Sequence, residues 1–480
     1  MGASSRSDLH DDVDAAPVED LLHDGDAVRV ELARLRRGLI MVALALVASS
    51  VAYALMPFEP APKKGLALLL FIAILWLTEG VHVTLTAIMV PVGALLLGFP
   101  DFNTTKAFAP FADPIIFLFF GGFALATAMH VQRLDRKIAF WLMSLSGSHL
   151  GVAALLLFAV TAGLSMWISN TATAAMMLPL AIGMMSELDE RKDRNTFVFI
   201  LLGIAYSASI GGLGTLVGSP PNAIAARAIN MDFAGWMKVG LPIMLVLMPL
   251  MVLTLWLVFR PRLNRRIEVP DEQIPWTPRR VIAMVVFALT ALGWIFGSSL
   301  SQWLGISSPD SFVAMVAAIA VVTLGLASWH QVSDHTDWGV LFLFGGGLTL
   351  SGVMRSSGAS AVLGDQVAAF LAGTGPFAVI LGVTTFIIIL TEFTSNTASA
   401  ALLVPVFAAI SERMGMPPQI LVLMIGIGAS CAFMLPVATP PNALVYATGL
   451  MRQSDMIKAG AVLNVFCVIV LTLWGYFFLR

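Results

Sequence analysis

The sequence is poor in charge. Asp, Glu, Lys and Arg make up 12% of its 480 residues, whereas an average soluble protein has about 25%. A soluble domain of this size needs far more charge to cover its surface, which excludes a cytosolic enzyme. The net charge of -2 leaves no basic surface, so we expect no nucleic-acid partner. Cysteine is scarce as well: Cys431 and Cys467 lie in apolar runs, which excludes a disulfide framework and a cysteine metal site.

Hydrophobic residues, in contrast, make up 58% of the chain, too many for a mainly disordered protein. They are arranged in runs of about the 20 residues that a helix needs to cross a bilayer. The sequence therefore predicts an all-α polytopic membrane protein, because helices satisfy their backbone hydrogen bonds within lipid. Plain spans are predicted near 39–57, 64–80, 82–99, 114–131, 237–259, 280–299, 311–329, 338–354 and 459–479.

Two apolar runs are too long for one span. A straight helix over 150–186 or 376–411 would be roughly 55 Å long, well beyond a bilayer core of about 30 Å. Each run has a polar triplet at its centre, SNT at 169–171 and again at 395–397. Polar backbone at membrane depth is tolerated only where protein or a water-filled cavity surrounds it. We therefore predict two re-entrant helical hairpins with one triplet at each tip.

Two further runs, 195–226 and 414–451, are interrupted by helix breakers. The first contains GGLG at 211–214 and GSPPN at 218–222, and the second contains ATPPN at 438–442. Proline removes a backbone donor and keeps the preceding residue out of a helix, so each run is predicted to form a broken helix. The glycine cluster is equally compatible with close helix packing alone.

Lys and Arg are unevenly divided between the predicted loops. With the N-terminus in the cytoplasm, the cytoplasmic side receives 133–137, 191–194, 260–266 and most of the other basic positions. The positive-inside rule therefore favours eleven crossings of a plasma (inner) membrane, with a cytoplasmic N-terminus and an external C-terminus. Residues 1–38, which are rich in Asp, are interpreted as a polar cytoplasmic tail.

The two halves of the sequence repeat each other. The repeated pairs are SNTA at 169–172 and 395–398, GG at 121–122 and 346–347, and PPNA at 220–223 and 440–443. Three anchors in the same order indicate an internal duplication. Each half holds five crossings and one hairpin, and an odd number of crossings inserts the second half upside down. Inverted-topology repeats whose broken helices meet at mid-membrane are typical of secondary transporters.

At these motifs the sequence resembles the divalent anion/sodium symporter family (DASS, the INDY-like dicarboxylate transporters). The resemblance lies in ISNTATAAMMLP, GSPPN, TSNTASAALLVP and ATPPN, and it covers nearly everything after residue 38 in the family's order and spacing. It implies the ion transporter superfamily fold, with about eleven transmembrane helices and two re-entrant hairpins. It also implies a homodimer in which the hairpins and broken helices carry the site across the membrane as an elevator.

Charge is almost absent from the two hairpins and two broken helices, which contain only Glu392. No Arg or Lys is there to hold an anion, so helix N-termini and bound cations must offset the charge of a dianion. Ser, Thr and Asn supply hydroxyl, amide and carbonyl oxygens, which suit sodium. Cations that build the anion site give coupling by linkage, because each ligand raises the affinity of the other. A binding role for Glu392 stays open, since it could pair with a hydroxyl or a backbone donor instead.

The resemblance assigns ligands to individual positions of this sequence. It implies two or more sodium ions, one at each hairpin tip, where the neighbouring broken helix completes the site. The implied metal ligands are Ser165, Ser169, Asn170 and Gly218 for one ion, and Thr391, Ser395, Asn396 and Ala438 for another. The implied substrate-binding residues are Asn170, Thr171, Ser219, Asn396, Thr397 and Thr439. The alternative for one triplet is a hydrogen-bonding patch between helices, which two equivalent copies disfavour.

The same resemblance divides the chain into parts that composition alone does not indicate. Residues 39–149 and 280–375 are expected to form a scaffold that holds the dimer together. Residues 150–260 and 376–480 are expected to form a transport part that contains the hairpins and the broken helices. Residues 261–279 are expected to be a cytoplasmic linker between the repeats.

The sequence therefore predicts a secondary active transporter rather than an enzyme. The resemblance implies that it imports C4 dicarboxylates such as succinate, malate or fumarate together with sodium. The alternatives within this class are a sodium-independent dicarboxylate exchanger and a sodium-coupled citrate or sulfate transporter. A membrane enzyme would need an acid, a base, a nucleophile or a metal cluster at membrane depth, and the four segments offer only Glu392. A channel would not need two inverted hairpins with closed tips.

Overall fold

The computed structural model describes residues 18–478 except 101, 148, 267–273 and 372, with side chains from residue 35 onward. Every regular element in this part of the chain is a helix, apart from one isolated β-bridge between His149 and Arg266. The prediction of an all-helical protein is therefore confirmed. The predicted tail falls in part on 1–17 and the predicted linker in part on 267–273, and those segments lie outside the described residues.

The first half of the chain forms helices α1 to α11. Their bounds are α1 (Val18–Leu55), α2 (Pro60–Thr78), α3 (Val83–Leu96), α4 (Thr104–Phe108), α5 (Pro114–Val131), α6 (Leu134–Ser144), α7 (Leu150–Ser165), α8 (Asn170–Met184), α9 (Arg194–Gly211), α10 (Pro220–Ala228) and α11 (Phe233–Phe259). Short 3₁₀ turns at Ala109–Ala112 and Gly212–Gly214 precede α5 and follow α9.

The second half forms helices α12 to α22. Their bounds are α12 (Pro278–Ile295), α13 (Gly297–Leu304), α14 (Pro309–Thr323), α15 (Trp329–His335), α16 (Trp338–Ser356), α17 (Ala359–Phe370), α18 (Pro376–Thr391), α19 (Asn396–Arg413), α20 (Pro418–Gly428), α21 (Pro440–Tyr446) and α22 (Gln453–Phe478). Helices α4, α6, α13, α15 and α17 are short elements between the spans that the hydrophobic pattern does not predict.

Both overlong runs break at the predicted triplets. In the first hairpin, α7 ends at Ser165 and α8 begins at Asn170, behind Ser169, whose hydroxyl accepts a hydrogen bond from a backbone N–H at 3.3 Å. In the second hairpin, α18 ends at Thr391 and α19 begins at Asn396, behind the same kind of cap. A serine just before a helix satisfies a free N–H of the first turn, which explains why each triplet starts a helix.

The two predicted helix breaks are also confirmed. Helix α9 gives way to the 3₁₀ turn Gly212–Gly214 and α10 restarts at Pro220, while α20 ends at Gly428 and α21 restarts at Pro440. Proline is favoured at the first position of a helix, because the N–H that it lacks would have no partner within the helix. Each Pro-Pro-Asn motif is therefore both the end of an irregular segment and the start of a new helix.

The number of membrane crossings stays a prediction. Among the described residues, 8 helices are long and apolar enough to cross a membrane, or 9 if the bent pair α13 and α14 forms one span. The predicted eleven crossings also need α3 and the broken pair α20 and α21. Helices α3 and α20 are apolar but too short to count as single spans by length, and α21 has 7 residues.

The repeated GG motif lies where helices cross closely. Helix α5 packs against α14, and its repeat counterpart α16 packs against α3. A Cβ atom on Gly121 would be 2.3 Å from the carbonyl oxygen of Ala314, and one on Gly346 would be 2.6 Å from that of Ala87. Only glycine permits such an approach of two backbones. The two halves therefore interlock through the same contact made twice, which supports the duplication seen in the sequence.

The helices that form the tips and breaks pack partly within their own half of the chain and partly against the other half. Helix α7 packs on α9 and α18 packs on α20, each within its own half. Beyond the breaks, however, α10 packs on α19 and α21 packs on α8. Each restarting helix therefore lies against the hairpin of the other half, which brings both tips and both breaks together at the centre.

Candidate functional site

Both hairpin tips and both helix breaks line a single cavity of about 930 Å³. The predicted site residues that line it are Ser169, Asn170, Thr171, Gly218, Ser219, Ser395, Asn396, Thr397, Ala438 and Thr439. The other two predicted residues, Ser165 and Thr391, are fully buried behind the tips. The structure thus gathers residues from opposite halves of the chain around one space.

At the first tip, oxygen atoms converge on the side chain of Asn170. The Ser165 hydroxyl lies 2.6 Å from Asn170 Oδ1 and 2.6 Å from the carbonyl oxygen of Ala208, yet it has one hydrogen to donate. The same Asn170 atom is 3.2 Å from the carbonyl oxygen of Gly218. Such a cluster is satisfied either by a cation among the oxygens or by turning the amide so that its NH₂ group donates.

The second tip repeats this arrangement with a threonine. The Thr391 hydroxyl lies 2.6 Å from Asn396 Oδ1 and 2.7 Å from the carbonyl oxygen of Ala429. Again one hydrogen faces two acceptors. The predicted ligand pairs, Ser165 with Asn170 and Thr391 with Asn396, are therefore in direct contact in both halves.

Each break is bridged by the asparagine of its Pro-Pro-Asn motif. The Asn222 Nδ2 group donates to the carbonyl oxygens of Gly212 and Thr215, both at 2.7 Å. The Asn442 Nδ2 group donates in the same way to Ala432 at 3.1 Å and Leu435 at 3.0 Å. The side-chain oxygens of both asparagines are buried without a hydrogen-bond partner among the described atoms, which leaves one free acceptor at each break.

Sequence reasoning treated Pro-Pro-Asn only as a helix breaker, so it missed these two asparagines. The signal was present, because the motif recurs with Asn222 and Asn442 in matching positions. A buried amide that bridges two carbonyls holds an irregular segment in one conformation. The asparagines therefore shape the site although they do not line the cavity.

Glycine allows the first break to approach the first tip. A Cβ atom on Gly212 would lie 2.5 Å from Asn170 Oδ1, and one on Gly218 would lie 2.6 Å from the carbonyl oxygen of Gly212. The sequence left two interpretations of the 211–214 cluster, a role in the break or close packing. The structure shows both at once, because the 3₁₀ turn packs directly against the hairpin tip.

Glu392, the acidic residue whose role the sequence left open, does not line the cavity. Its side chain is buried and accepts hydrogen bonds from backbone N–H groups of the second break. A carboxyl group with this many donors is held in place by the break rather than presented to a ligand. The polar groups that the two tips present to the cavity are therefore neutral.

The cavity is lined by four charged residues, of which only Asp135 is buried. They are Glu79, Asp135, Arg136 and Asp337, together with the imidazoles of His130 and His335. His130 Nδ1 is 3.1 Å from Asp135 Oδ2, and the two imidazole rings are 5.9 Å apart. Sequence reasoning missed this group, because its members are scattered over the chain without a shared motif. It forms a polar mouth at the α6 end of α5.

The donor set limits the chemistry that the cavity can support. No group of three or more His, Cys, Asp or Glu side chains that could hold a metal ion occurs in the described part of the chain. Neutral oxygens can hold a hard monovalent cation, and the N-termini of α8, α10 and α19 supply partial positive charge and free N–H groups for an anion. The arrangement suits reversible binding of ions and offers no acid, base or nucleophile at the tips.

Comparison with known proteins identifies relatives over nearly the whole chain. A model of the family described as the sodium:sulfate symporter transmembrane region matches residues 37–480. An uncharacterized transporter of Haemophilus influenzae is 53% identical over 459 residues, covering 93% of this chain and 99% of that protein. The sodium-dependent dicarboxylate transporter SdcS of Staphylococcus saprophyticus is 32% identical over 449 residues, covering 86% of this chain and 85% of that protein.

Two solved transporters share the fold at low sequence identity. The YdaH transporter of Alcanivorax borkumensis has a TM-score of 0.55 and 15% identity, covering 92% of this chain and 98% of that chain. The protein MtrF of Neisseria gonorrhoeae has a TM-score of 0.51 and 14% identity, covering 92% of this chain and 95% of that chain. At this identity the likeness concerns the helical architecture alone.

Proposed function

This chain belongs to the divalent anion/sodium symporter family, and we propose that it couples inward sodium flux to the import of C4 dicarboxylates such as succinate, malate and fumarate. It is a multi-pass membrane transport protein and not an enzyme. The name of the SdcS relative, a sodium-dependent dicarboxylate transporter, supports the choice of both ligands.

One observation carries the proposal: both Ser-Asn-Thr tips face the same cavity, and the polar groups they present are neutral. A dianion in such a pocket needs positive charge, because burying an uncompensated charge is prohibitive. Helix N-termini supply only part of it. Sodium ions held by neutral oxygens supply the rest, so cation and anion bind together.

We assign one sodium ion to each hairpin tip, where oxygen atoms gather around Asn170 in the first half and around Asn396 in the second. One sodium ion binds Ser165, Ser169, Asn170 and the Gly218 carbonyl, and a second binds Thr391, Ser395, Asn396 and the Ala438 carbonyl. The substrate carboxylates bind between them, at Asn170, Thr171, Ser219, Asn396, Thr397 and Thr439. The contacts of Asn170 with Ser165 and of Asn396 with Thr391 support this assignment, because they bring oxygen ligands within one coordination shell.

Alternating access follows from the inverted repeat. With the N-terminus in the cytoplasm and the C-terminus outside, the polar mouth beside Arg136 and His130 opens to the cytoplasm, and the structure is an inward-facing state. The parts at 150–260 and 376–480 then move as an elevator against a scaffold formed by 39–149 and 280–375. The scaffold holds two copies together as a homodimer.

Uptake of radiolabelled succinate into proteoliposomes tests the proposal. We expect saturable uptake driven by an inward sodium gradient, with little uptake driven by potassium, lithium or a pH gradient. Competition by unlabelled malate, fumarate, citrate and sulfate defines the substrate class, and only the C4 dicarboxylates should compete strongly. Uptake that ignores sodium and requires succinate inside the vesicles would identify an exchanger and overturn sodium coupling.

A further inference from the structure

The carboxylate of Glu392 is bound by three consecutive backbone N–H groups of the second break. Its Oε1 accepts from the N–H of Phe433 at 2.7 Å and of Met434 at 2.9 Å, and its Oε2 accepts from the N–H of Leu435 at 3.1 Å. The Asn464 Nδ2 group donates to Oε1 at 2.7 Å. Consecutive N–H groups that converge on one anion form a backbone nest, and here the anion is a side chain of the same protein.

Carbonyl groups of residues 432–435 also accept hydrogen bonds from side chains. The Asn442 amide donates to the carbonyl oxygens of Ala432 and Leu435, and the Tyr206 hydroxyl donates to that of Phe433 at 2.7 Å. Residues 432–435 have no helical hydrogen bonds of their own, so these side chains replace them. Glu392 is the acidic member of this set and accepts hydrogen bonds from three backbone donors at once.

The first break is held by different chemistry. The position equivalent to Glu392 in the first half, at the offset of the Ser-Asn-Thr triplets, is Met166. There the Thr215 hydroxyl donates to the Met166 carbonyl oxygen and accepts a hydrogen bond from the N–H of Gly218 at 3.2 Å. The first break is thus stabilised by hydrogen bonds of the Thr215 hydroxyl, and the second by hydrogen bonds to the buried carboxyl group of Glu392.

Residues 432–435 lie between two residues whose carbonyl groups are close to the proposed second sodium site. Ala429, whose carbonyl oxygen contacts the Thr391 hydroxyl, lies just before this segment, and Ala438 lies just after it. Glu392 itself follows Thr391 directly and precedes Ser395 by three residues. One side chain therefore links the hairpin that carries Thr391 and Asn396 to the break that carries the carbonyls.

We propose that Glu392 is a positioning residue for the second cation site, and that it makes this site depend on a buried acidic side chain that the first site lacks. The inference rests on the proposed sodium coupling. Glu392 holds the break against the hairpin tip, so that side-chain and carbonyl oxygens stay at the spacing that the cation needs. Groups that orient metal ligands typically change metal affinity by about 10- to 100-fold when they are replaced.

A glutamine at this position is a sharp probe. It keeps the shape of the side chain, but its NH₂ group cannot accept, so it must face at least one of the N–H groups that Glu392 now binds. The matched control is Glu412→Gln, the same change at an exposed position on α19. Asn464→Leu is a milder variant, because it removes one donor to Glu392 and leaves the three backbone contacts in place.

The experiment measures the effect of sodium on the purified full chain in two ways. Thermal unfolding over a sodium chloride series, with choline chloride keeping ionic strength constant, reports cation binding without substrate. Succinate uptake into proteoliposomes over the same series reports the half-maximal sodium concentration, the steepness of the sodium dependence, and the KM for succinate at saturating sodium.

For Glu392→Gln we expect the sodium concentration that gives half-maximal effect to rise about 10- to 100-fold, with a less steep sodium dependence. The KM for succinate at saturating sodium stays near that of the wild type, which separates a positioning role from direct substrate contact. Asn464→Leu shifts the sodium dependence in the same direction by a smaller factor, and Glu412→Gln leaves it unchanged.

The inference is overturned if Glu392→Gln responds to sodium like the wild type, or if only its KM for succinate changes. If Glu392→Gln does not fold, Asn464→Leu decides, and an unchanged sodium dependence in that variant overturns the inference. A wild-type protein that shows no sodium-dependent stabilisation is a different result, because it contradicts the proposed sodium coupling itself.

Discussion

Arg227 binds Asp113 in a bidentate ion pair, with its Nε 2.9 Å from Asp113 Oδ1 and its Nη2 2.7 Å from Oδ2. The pair joins the end of α10, which packs on α19 and α20, to the start of α5, which packs on α14. Asp337 caps α16 as Asp113 caps α5, but the position that matches Arg227 in the second half is Ala447. The ion pair therefore has no counterpart in the repeat.

This asymmetry predicts that the ion pair shifts the equilibrium between the inward-facing and outward-facing states of the proposed transport cycle. The cavity opens at the far end of α5, so the pair fastens the side opposite the mouth. In Arg227→Gln the proposed inward-facing state loses this contact, which for a partly exposed pair contributes about 1 kcal/mol, or about fivefold in an equilibrium constant. We expect the protein to shift toward the outward-facing state.

Labelling of an introduced cysteine measures the shift. Val437 lines the cavity and is 84% exposed, whereas the native Cys431 and Cys467 are fully buried. In Val437→Cys, a maleimide that does not cross membranes should react from the mouth side, and adding Arg227→Gln should slow the reaction. The control is Arg413→Gln, which removes an exposed pair with Asp365. Equal labelling with and without Arg227 would show that the pair has no influence on the cycle.

The two tip asparagines are predicted to be essential. Asn170→Ala and Asn396→Ala each remove a side-chain oxygen that contacts a buried hydroxyl and faces the cavity. We expect each variant to lose sodium-driven succinate uptake while it elutes and melts as a folded protein. Asn103→Ala, at the exposed cap of α4, is the control and should transport normally. Wild-type rates in both tip variants would reject the site assignment.

The hydroxyl of Thr391, rather than its bulk, is predicted to support the second ion. Thr391→Val keeps the shape but leaves the Ala429 carbonyl and Asn396 without this partner, at a cost of about 1–3 kcal/mol for a buried unpaired group. Sodium activation of uptake should therefore need about tenfold more sodium in this variant. Thr391→Ser, which copies Ser165 of the first half, should behave like the wild type. Identical sodium curves for the valine and serine variants would contradict this role.

Gly212 is predicted to tolerate no side chain. The Cβ atom of Gly212→Ala would lie 2.5 Å from Asn170 Oδ1 and 3.0 Å from the Gly218 carbonyl oxygen, so the first tip must move. Uptake and sodium-dependent stabilisation should both weaken. Gly163→Ala is the matched control, because its Cβ meets open space within α7, and alanine stabilises a helix by about 1 kcal/mol over glycine. A Gly212→Ala variant with unchanged sodium response would show that the close approach is unnecessary.

Much of the fold could be predicted because its determinants are local. Ser169 and Ser395 start helices in a polar triplet, and Pro220 and Pro440 do so after an irregular segment. Those signals need only neighbouring residues to act. The internal repeat then implied that the hairpin tips and helix breaks of the two halves lie close together, and the shared cavity agrees with that expectation.

The rest depends on contacts that a single sequence does not display. The hydrogen bond between Glu392 and the N–H of Phe433 joins residues about 40 positions apart. The ion pair of Arg227 and Asp113 joins two helices that share no motif. The mouth residues His130 and His335 come from different halves at positions that do not match. Such contacts follow from the tertiary packing of the helices, which sequence periodicity does not specify.

The central claim is that sodium ions create the site for the dianion, and calorimetric titration of succinate into the purified protein tests it most directly. In sodium chloride we expect succinate to bind, and in choline chloride of equal ionic strength we expect no measurable binding. By linkage, succinate should raise the affinity for sodium by the same factor as sodium raises that for succinate. Equal succinate affinity in the two salts would contradict the account.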